Sequence, residues 1–320
     1  MTDQIDWLSR LLELVPVSGR VEHRCFFGAP WRLDWEPTSF GQIPYHVVLA
    51  GSATLEVSAG RPTTYRLHAG DILLFPRGAG HRLHDGSGAE PAAAFQRVGA
   101  TFTIDENAGP GERLDMLCGR FLLSPTHARL IGSYLPEVLV VSTVGDAKRH
   151  HQPSSAGTQL TRLIGLMRDE TFKEHLGARA MLTGLSTALF ALALRFATEI
   201  SDAPEGLLAL AAHPRLAPAT AALFNRPSHP WTLPELAALC HMSRATFVRQ
   251  FERKVGRSAA DLLGDIRMTM AGNELRHSDK STGAVAEAAG YQSEAAFQRA
   301  FKQRMGVTPA QYRRTMQATE

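Results

Sequence analysis

Between Leu236 and Gly306 this chain of 320 residues carries one short pattern twice, and no other feature restricts its fold as strongly. The first copy runs from Leu236 to Phe251 and closes at Gly256. The second runs from Val285 to Phe301 and closes at Gly306. Ser243 and Ser293, Phe247 and Phe297, Arg249 and Arg299, Phe251 and Phe301, and the two closing glycines all stand fifty residues apart. The alanines that open the copies are one residue out of that register, so the turn of the second copy is one residue longer. A serine ahead of a helical run is a good N-cap, because its oxygen accepts an orphan backbone N–H. Phenylalanines at i and i+4 give each helix an inward stripe. Arg244, Ala245, Val248 and Arg249 are then left largely on the other side of the first helix, and Glu294, Ala295, Gln298 and Arg299 on that of the second. Glycine after the run suits the left-handed end of a helix, and Thr232 with Glu235 is a capping-box pattern for the first supporting helix. One copy alone would serve as a helical hairpin in an ordinary core. Two in matched register read as tandem helix-turn-helix units, which place two recognition helices on one module and point to DNA.

The stretch from roughly Ala212 to Arg314 resembles the AraC/XylS family of bacterial transcription regulators. The resemblance is carried by the Arg267-Met268 helix between the two motifs, by Ala289-Gly290-Tyr291, by Phe297-Gln298-Arg299-Ala300-Phe301-Lys302, and by Gly306-Val307-Thr308-Pro309-Ala310-Gln311-Tyr312-Arg313. One departure is Ser258-Ala259, where the first copy usually carries Ser-Pro. The resemblance implies that the two units enter successive major grooves on one face of the duplex, about 34 Å apart. The residues expected to contact DNA are Arg244, Ala245, Thr246, Val248 and Arg249 in the first copy, with Glu294, Ala295, Gln298 and Arg299 in the second. Arg249 and Arg299 are the expected base readers, since arginine donates bidentately to guanine. Ala245, Val248 and Ala295 offer only apolar contact, for instance to thymine methyls. Arg244, Arg253, Lys254, Lys302 and Arg304 are expected to position the protein on phosphates. Charge agrees: residues 213–320 carry a net +6 and residues 1–212 a net −3, within the overall +3.

The front half is built differently. Tyr45–Leu49, Ala53–Val57, Thr64–Leu67 and Asp71–Phe75 are short β-like runs broken by Gly, Pro and polar turns, a spacing that suits a small barrel or jelly roll. Gly70 through Pro76, Gly78 and His81 resemble the second motif of the cupin superfamily, with Asp85 where the pattern usually ends in Asn. Metal-dependent cupins place a His-x-His pair and a Glu on the first motif. Here His46 is followed by Val47 and Val48, Glu56 stands only as a relic, and two imidazoles are thin for a metal centre. No metal, cofactor or catalytic residue is therefore expected. Residues 1–200 resemble the cupin-type sensor of a subset of AraC-like regulators, through Cys25-Phe26-Phe27-Gly28-Ala29-Pro30-Trp31, the His46 strand, the Gly70-to-His81 motif, Leu117-Cys118-Gly119-Arg120-Phe121 and Leu135-Pro136-Glu137-Val138. That resemblance implies sensing of a small molecule or of chemical stress, in some relatives through cysteine oxidation. Cys25, His46, His81 and Cys118 are the candidate effector or redox residues. His23, Arg24 and Arg120 lie near the two thiols in sequence, and positive charge lowers a thiol's pKa. Equally, both cysteines read as small buried hydrophobes, or as a zinc site with His46 or His81. Cys240 reads as core.

Gly145–Gly157 is polar and turn-rich, a linker or exposed loop whose paired His150 and His151 face solvent. Two apolar helices follow, around Leu160–Phe172 and Met181–Phe196, suited either to a dimer interface or to packing on the barrel. Ser201–Gly206 reads as a hinge. Three cysteines give no disulfide framework, no apolar run reads as a membrane span, and Met1–Asp6 lacks a signal-peptide start. The expectation is an α+β multidomain, cytoplasmic, non-enzymatic regulator. It has a cupin-like sensor (1–144), a helical connector (145–206) and an all-α double helix-turn-helix domain (207–320). Its expected partners are double-stranded promoter DNA, RNA polymerase, an effector and a second copy of itself, with activation implied by resemblance alone. The rival from another class is a metal-dependent cupin enzyme carrying a DNA-binding tail. Arg249→Ala and Arg299→Ala are each expected to cost about 1–3 kcal/mol on the specific duplex, read by fluorescence anisotropy. Specific binding left intact by both would refute the recognition-helix assignment.

Overall fold

Alternation in the front half resolves into two sheets. In the computed structural model, which describes residues 6–57, 63–143, 155–172, 175–200 and 203–317, the strands are β1 (Ser18–Gly28), β2 (Arg32–Trp35), β3 (Gln42–Ala50), β4 (Ser52–Val57), β5 (Thr63–His68), β6 (Asp71–Leu74), β7 (His81–His84), β8 (Ala94–Val98), β9 (Thr103–Asn107), β10 (Arg113–Leu122) and β11 (Leu139–Ser142). Seven form one sheet in the order β11-β6-β3-β10-β1-β9-β8, and four form the other, β2-β7-β4-β5. Every neighbouring pair is antiparallel except β1 and β9. In β4 every second residue, Ala53, Leu55 and Val57, is buried, as the two-residue period of a strand requires. These side chains meet Phe27, Trp31, Val48, Leu73, Phe75, Leu83 and Met116 in one core. β3 and β6 are buried on both faces, because the larger sheet is also covered from outside.

The outer cover is a pair of helices, α3 (Ser155–Phe172) and α4 (Ala178–Glu199). By length and composition α4 is apolar enough to cross a membrane, with a mean hydropathy of 1.6, an exception to the expectation of no such run. Its Ser186 hydroxyl meets the Tyr45 hydroxyl at 2.9 Å and Phe190 packs on Phe121 at 5.0 Å between centroids. Part of the apolar surplus that suited either a dimer or the barrel is thus used on the barrel. Phe172 and Met181, expected on the apolar stripes, are exposed. Most of Gly145–Gly157, including His150 and His151, lies outside the described residues, as do residues 1–5 and the Ser201-Asp202 start of the hinge.

The chain divides into two compact units that are not consecutive segments. The barrel and its two covering helices, residues 17–123 and 136–204, make one. The other gathers residues 1–16, 124–135 and 205–320. Two helices that lie within the segment assigned to the sensor (1–144), α1 (Trp7–Leu14) and α2 (Pro125–Tyr134), therefore pack in the second unit. Their companions there are α5 (Leu207–Ala212), α6 (Ala217–Asn225), α7 (Leu233–Leu239), α8 (Arg244–Val255), α9 (Ala259–His277), α10 (Thr282–Ala288), α11 (Glu294–Met305) and α12 (Pro309–Gln317). The long α9 is the spine: Leu262, Ile266, Met268, Ala271 and Leu275 are buried along it, the last three in one cluster with Val285, Phe297, Phe301 and Tyr312.

Two further buried polar contacts help to hold the barrel unit. Arg24 is 1% exposed and donates from Nε and Nη2 to both oxygens of Asp115, at 3.1 and 2.9 Å, and from Nη1 to Thr171 on α3 at 2.9 Å. The rings of Phe26 and Phe172 lie 4.6 and 4.2 Å from its guanidinium carbon. Removing one partner of such a pair strands a charge, so Asp115→Ala is expected to lower the unit's stability by about 3 kcal/mol. Urea denaturation tests this, and a loss below about 1 kcal/mol would mean that the guanidinium is hydrated. Across the sandwich, His46 on the larger sheet meets His81 on the smaller, Nε2 to Nε2 at 2.7 Å. Burial pushes the His81 pKa down to about 4 and that of His46 well below its ordinary value. The unfolded chain then binds more protons than the native state between pH 6.5 and about 4. Stability contributed by the pair is therefore full above that window and lost as pH falls through it. From His81 alone the loss between about pH 7 and 5 is about 2 kcal/mol. His81→Phe should flatten this part of the urea-midpoint profile, and an unchanged slope would assign it to other groups.

Candidate nucleic-acid interface and thiol pair

Both repeats fold as helix-turn-helix units, and the register offset in the sequence is visible in the helices. The supporting helices α7 and α10 start 49 residues apart, whereas the second helices α8 and α11 start 50 apart. The added residue lies in the second turn. Ser243 and Ser293 cap α8 and α11 by accepting from the backbone N–H groups of Thr246 and Ala296, and Gly256 and Gly306 end them at φ 73° and 80°. Each turn needs one residue in the left-handed region. The second copy supplies Gly290 at φ 78°, while the first uses His241 at φ 50°, a conformation that costs a non-glycine residue about 1 kcal/mol or more.

With Phe247, Phe251, Phe297 and Phe301 buried, the opposite faces are presented outward. Arg244, Ala245 and Arg249 are exposed on α8, and Glu294, Ala295, Gln298 and Arg299 on α11. Val248 and Thr246 are half-buried, and the Thr246 hydroxyl is held by that of Ser243 at 3.0 Å. Gln298 donates from Nε2 to Glu294 Oε1 at 2.9 Å, so this pair is arranged before any base arrives. Arg304 is placed elsewhere than expected. Its guanidinium engages Asp265 and Asp261 on α9 and occupies the space that a Cβ on Gly264 would take. It braces α11 on α9 rather than facing outward as a phosphate contact.

Sequence reasoning missed Asp265 as a structural centre. It is 7% exposed, pairs with Arg257 at 3.0 Å and with Arg304, and accepts from the Tyr134 hydroxyl of α2 at 2.7 Å. The signal was present: an acid in the run Leu262-Leu263-Gly264-Asp265-Ile266 sits on a buried helical face, where charge persists only when paired. Arg267, singled out as a family feature, has a role of its own. It donates to the carbonyls of Pro227, Ser228 and His229 and so fixes the loop ahead of the first motif.

The barrel interior brings the four candidate sensor residues together, Cys25, Cys118 and His46 on the adjacent strands β1, β10 and β3 and His81 on β7 of the facing sheet. Cys118 pairs across the ladder with His46, and Cys25 with Met116, so these side chains share the inner face, where His46 meets His81. Cys25 and Cys118 are 2% and 3% exposed, and their sulfurs lie 3.7 Å apart. The thiolate-favouring environment read from adjacent basic residues is not formed at Cys25. Arg24 points to the opposite face, Arg120 pairs with Glu22, and His23 pairs with Asp105. The hydrogen bond with Cys118, and then burial, push the Cys25 thiol well above its ordinary value. Asp105, which the sequence reading passed over, is the nearest base. Its Oδ2 lies 4.0 Å from Cys25 Sγ and 2.7 Å from His23 Nδ1, and its Oδ1 accepts from Gln96.

The residues do not fit the divalent metal of catalytic cupins. His81 Nδ1 donates to the Ala79 carbonyl at 2.9 Å, so its Nε2 accepts and His46 Nε2 donates. His46 Nδ1 is then a buried acceptor with no partner. A tetrahedral metal bound by both rings needs nitrogens about 3.3 Å apart, wider than this direct hydrogen bond. Among the described residues no three His, Cys, Asp or Glu side chains are grouped to hold an ion. Glu56 faces Arg82 and His84 on the outside of β4.

A cupin family profile matches residues 6–199, and a helix-turn-helix domain profile matches residues 236–315. The chain is 27% identical to the RCS-specific HTH-type transcriptional activator RclR of Escherichia coli K12, over 97% of each chain. It is 29% identical to the HTH-type transcriptional regulator MtrA of Neisseria gonorrhoeae, over 97% of this chain and 98% of that one. Among solved structures it is similar to the DNA-binding domain of AdpA in complex with a target DNA, at 31% identity and a TM-score of 0.32, covering 33% of this chain and 96% of that one. With both domain profiles matched and the regulators aligned from end to end, the chain belongs to the AraC-like helix-turn-helix transcription regulators that carry an N-terminal cupin domain.

Proposed function

We propose that this DNA-binding regulator is switched by oxidation of the Cys25–Cys118 pair, and the observation that carries the reading is the 3.7 Å contact between two buried sulfurs. The oxidant is a small neutral species HO–X, a hypohalous acid or a peroxide. Cys25 attacks X, giving Cys25–S–X and water, with the thiol proton leaving by way of Asp105 Oδ2 and the half-exposed His23. Cys118 then displaces X, forming the S–S bond and releasing HX, so two thiols are oxidised as one HO–X is reduced. The sulfurs close from 3.7 Å to about 2.05 Å. Burial makes the pair slow toward bulky oxidants and disulfides, which confers selectivity for small ones. The name of the similar RclR, an RCS-specific activator, agrees with a chemical-stress signal.

On the DNA side, Arg249 and Arg299 read bases, assisted by Arg244, Gln298 and Glu294, while Ala245, Val248 and Ala295 make apolar contacts and Thr246 supports the cap. The regulator acts in the cytoplasm as a homodimer, activates by contacting RNA polymerase, and has no enzymatic activity. A second reading, gating by a small apolar effector, is favoured by a cavity of about 720 Å³ beside α3, lined by Leu49, Gly70, Thr143, Ile164 and Gly165. Affinity for the gene's own upstream duplex, measured with thiols reduced and then mildly oxidised, separates the two readings. A change of about fivefold or more that Cys25→Ala and Cys118→Ala each abolish is expected. An affinity indifferent to oxidation would reject the thiol switch and direct the search to ligands.

A further inference from the structure

The second unit contains a helix that the barrel owns covalently. The N-cap of α2, Ser124, stands two residues after β10 ends at Leu122, and the chain re-enters the barrel through β11, which starts at Leu139. Between those strands, α2 packs among the DNA-binding helices. Thr126, His127, Ala128, Leu130, Ile131 and Tyr134 are buried there, and three side chains make hydrogen bonds along it. Tyr134 donates to Asp265 at 2.7 Å, His127 Nε2 contacts Asn273 Oδ1 at 2.7 Å, and the Thr126 hydroxyl bonds that of Tyr312. Asp265 and Asn273 both belong to α9, eight residues apart. Asn273 also donates to the Leu14 carbonyl at the end of α1. Two glycines make room: a Cβ on Gly272 would press on Thr126, and one on Gly206 would overlap the Tyr134 carbonyl.

These are not the contacts of a surface loop at rest on a neighbour. Asp265 serves Tyr134 and also Arg304 of α11, the second recognition helix, so one carboxylate ties α2 and α11 to α9. We propose that α2 is the coupling element of this regulator: the two strands that flank it transmit the state of the barrel to α9, and Tyr134–Asp265 passes it to the second recognition helix. The proposal rests on the reading of the chain as effector-responsive and does not require that effector to be an oxidant. Cys118 lies on β10, six residues ahead of the Ser124 cap. A shift of that strand has a short covalent path to α2.

Coupling between two sites is reciprocal, so DNA must act on the barrel even when no effector is present. The test is hydrogen exchange of the full-length protein, free and bound to a duplex selected from a random pool for tight binding. In the wild type, DNA is expected to change exchange in Arg113–Leu122 and Leu139–Ser142 by about fivefold or more. Tyr134→Phe, and separately Asn273→Ala, should bring that change to within about twofold while duplex affinity stays within about threefold. No change in the wild-type barrel, or a change that survives in both variants, overturns the proposal. So does a collapse of duplex affinity in both variants, which would make α2 a structural part of the DNA-binding unit alone. Loss of the thiol response leaves all of these outcomes readable, because no oxidant enters the experiment.

Discussion

The DNA-binding unit depends on α9. Both helix-turn-helix units pack on this one helix, and its nineteen residues span about 28 Å at 1.5 Å per residue. That length is comparable with one turn of B-form DNA, about 34 Å, so the spacing of the recognition helices is set by a rigid rod. The rod is secured at each end of its buried row. Ser258 and Asp261 form a capping box at the start, and Arg313 donates to the Leu275 carbonyl near the end. Between them Asp265 gathers two arginines and a tyrosine hydroxyl. A carboxylate at that depth persists only with such partners, which makes it a point where packing, charge and the pose of α11 are decided together.

The barrel follows another logic. Its inner face holds the histidine contact and the thiol pair. Burial disfavours the charged forms of both imidazoles, and the contact with Cys118 together with burial disfavours that of Cys25. The His81 imidazole, stacked on Trp35 and Phe75, resists protonation, as does the buried His46 beside it, and the buried Cys25 thiol resists ionisation. The buried guanidinium of Arg24 is turned outward under α3 and matched by Asp115. An interior of this kind has little affinity for a hard cation and keeps two reducing sulfurs away from bulky reagents.

How much of this was legible depended on whether the governing interaction was local. The tandem motif, its caps, its inward phenylalanines and the longer second turn all follow from i, i+4 spacing and cap chemistry, and the structure reproduces them residue by residue. The barrel was readable from two-residue alternation and from the Gly70-to-His81 pattern. What could not be read was long-range partnership. Arg24 next to Cys25 in sequence suggested an activated thiol, but adjacent residues on a strand point to opposite faces. Arg304 looked like a free phosphate contact until α9 supplied Asp265 and Asp261. The division of the chain into consecutive domains failed to anticipate α1 and α2 in the second unit, since nothing local in Pro125–Tyr134 reveals that its buried face is completed by residues more than a hundred positions away.

One chain with two recognition helices should meet two neighbouring stretches of major groove. Dimethyl sulfate protection of guanine N7, read at nucleotide resolution on a duplex bound by the full-length protein, tests it directly. Two protected patches about 10–10.5 base pairs apart, centre to centre on one face of the helix, are the result this account requires. A single protected patch would contradict it, and would leave the second repeat a structural companion of the first.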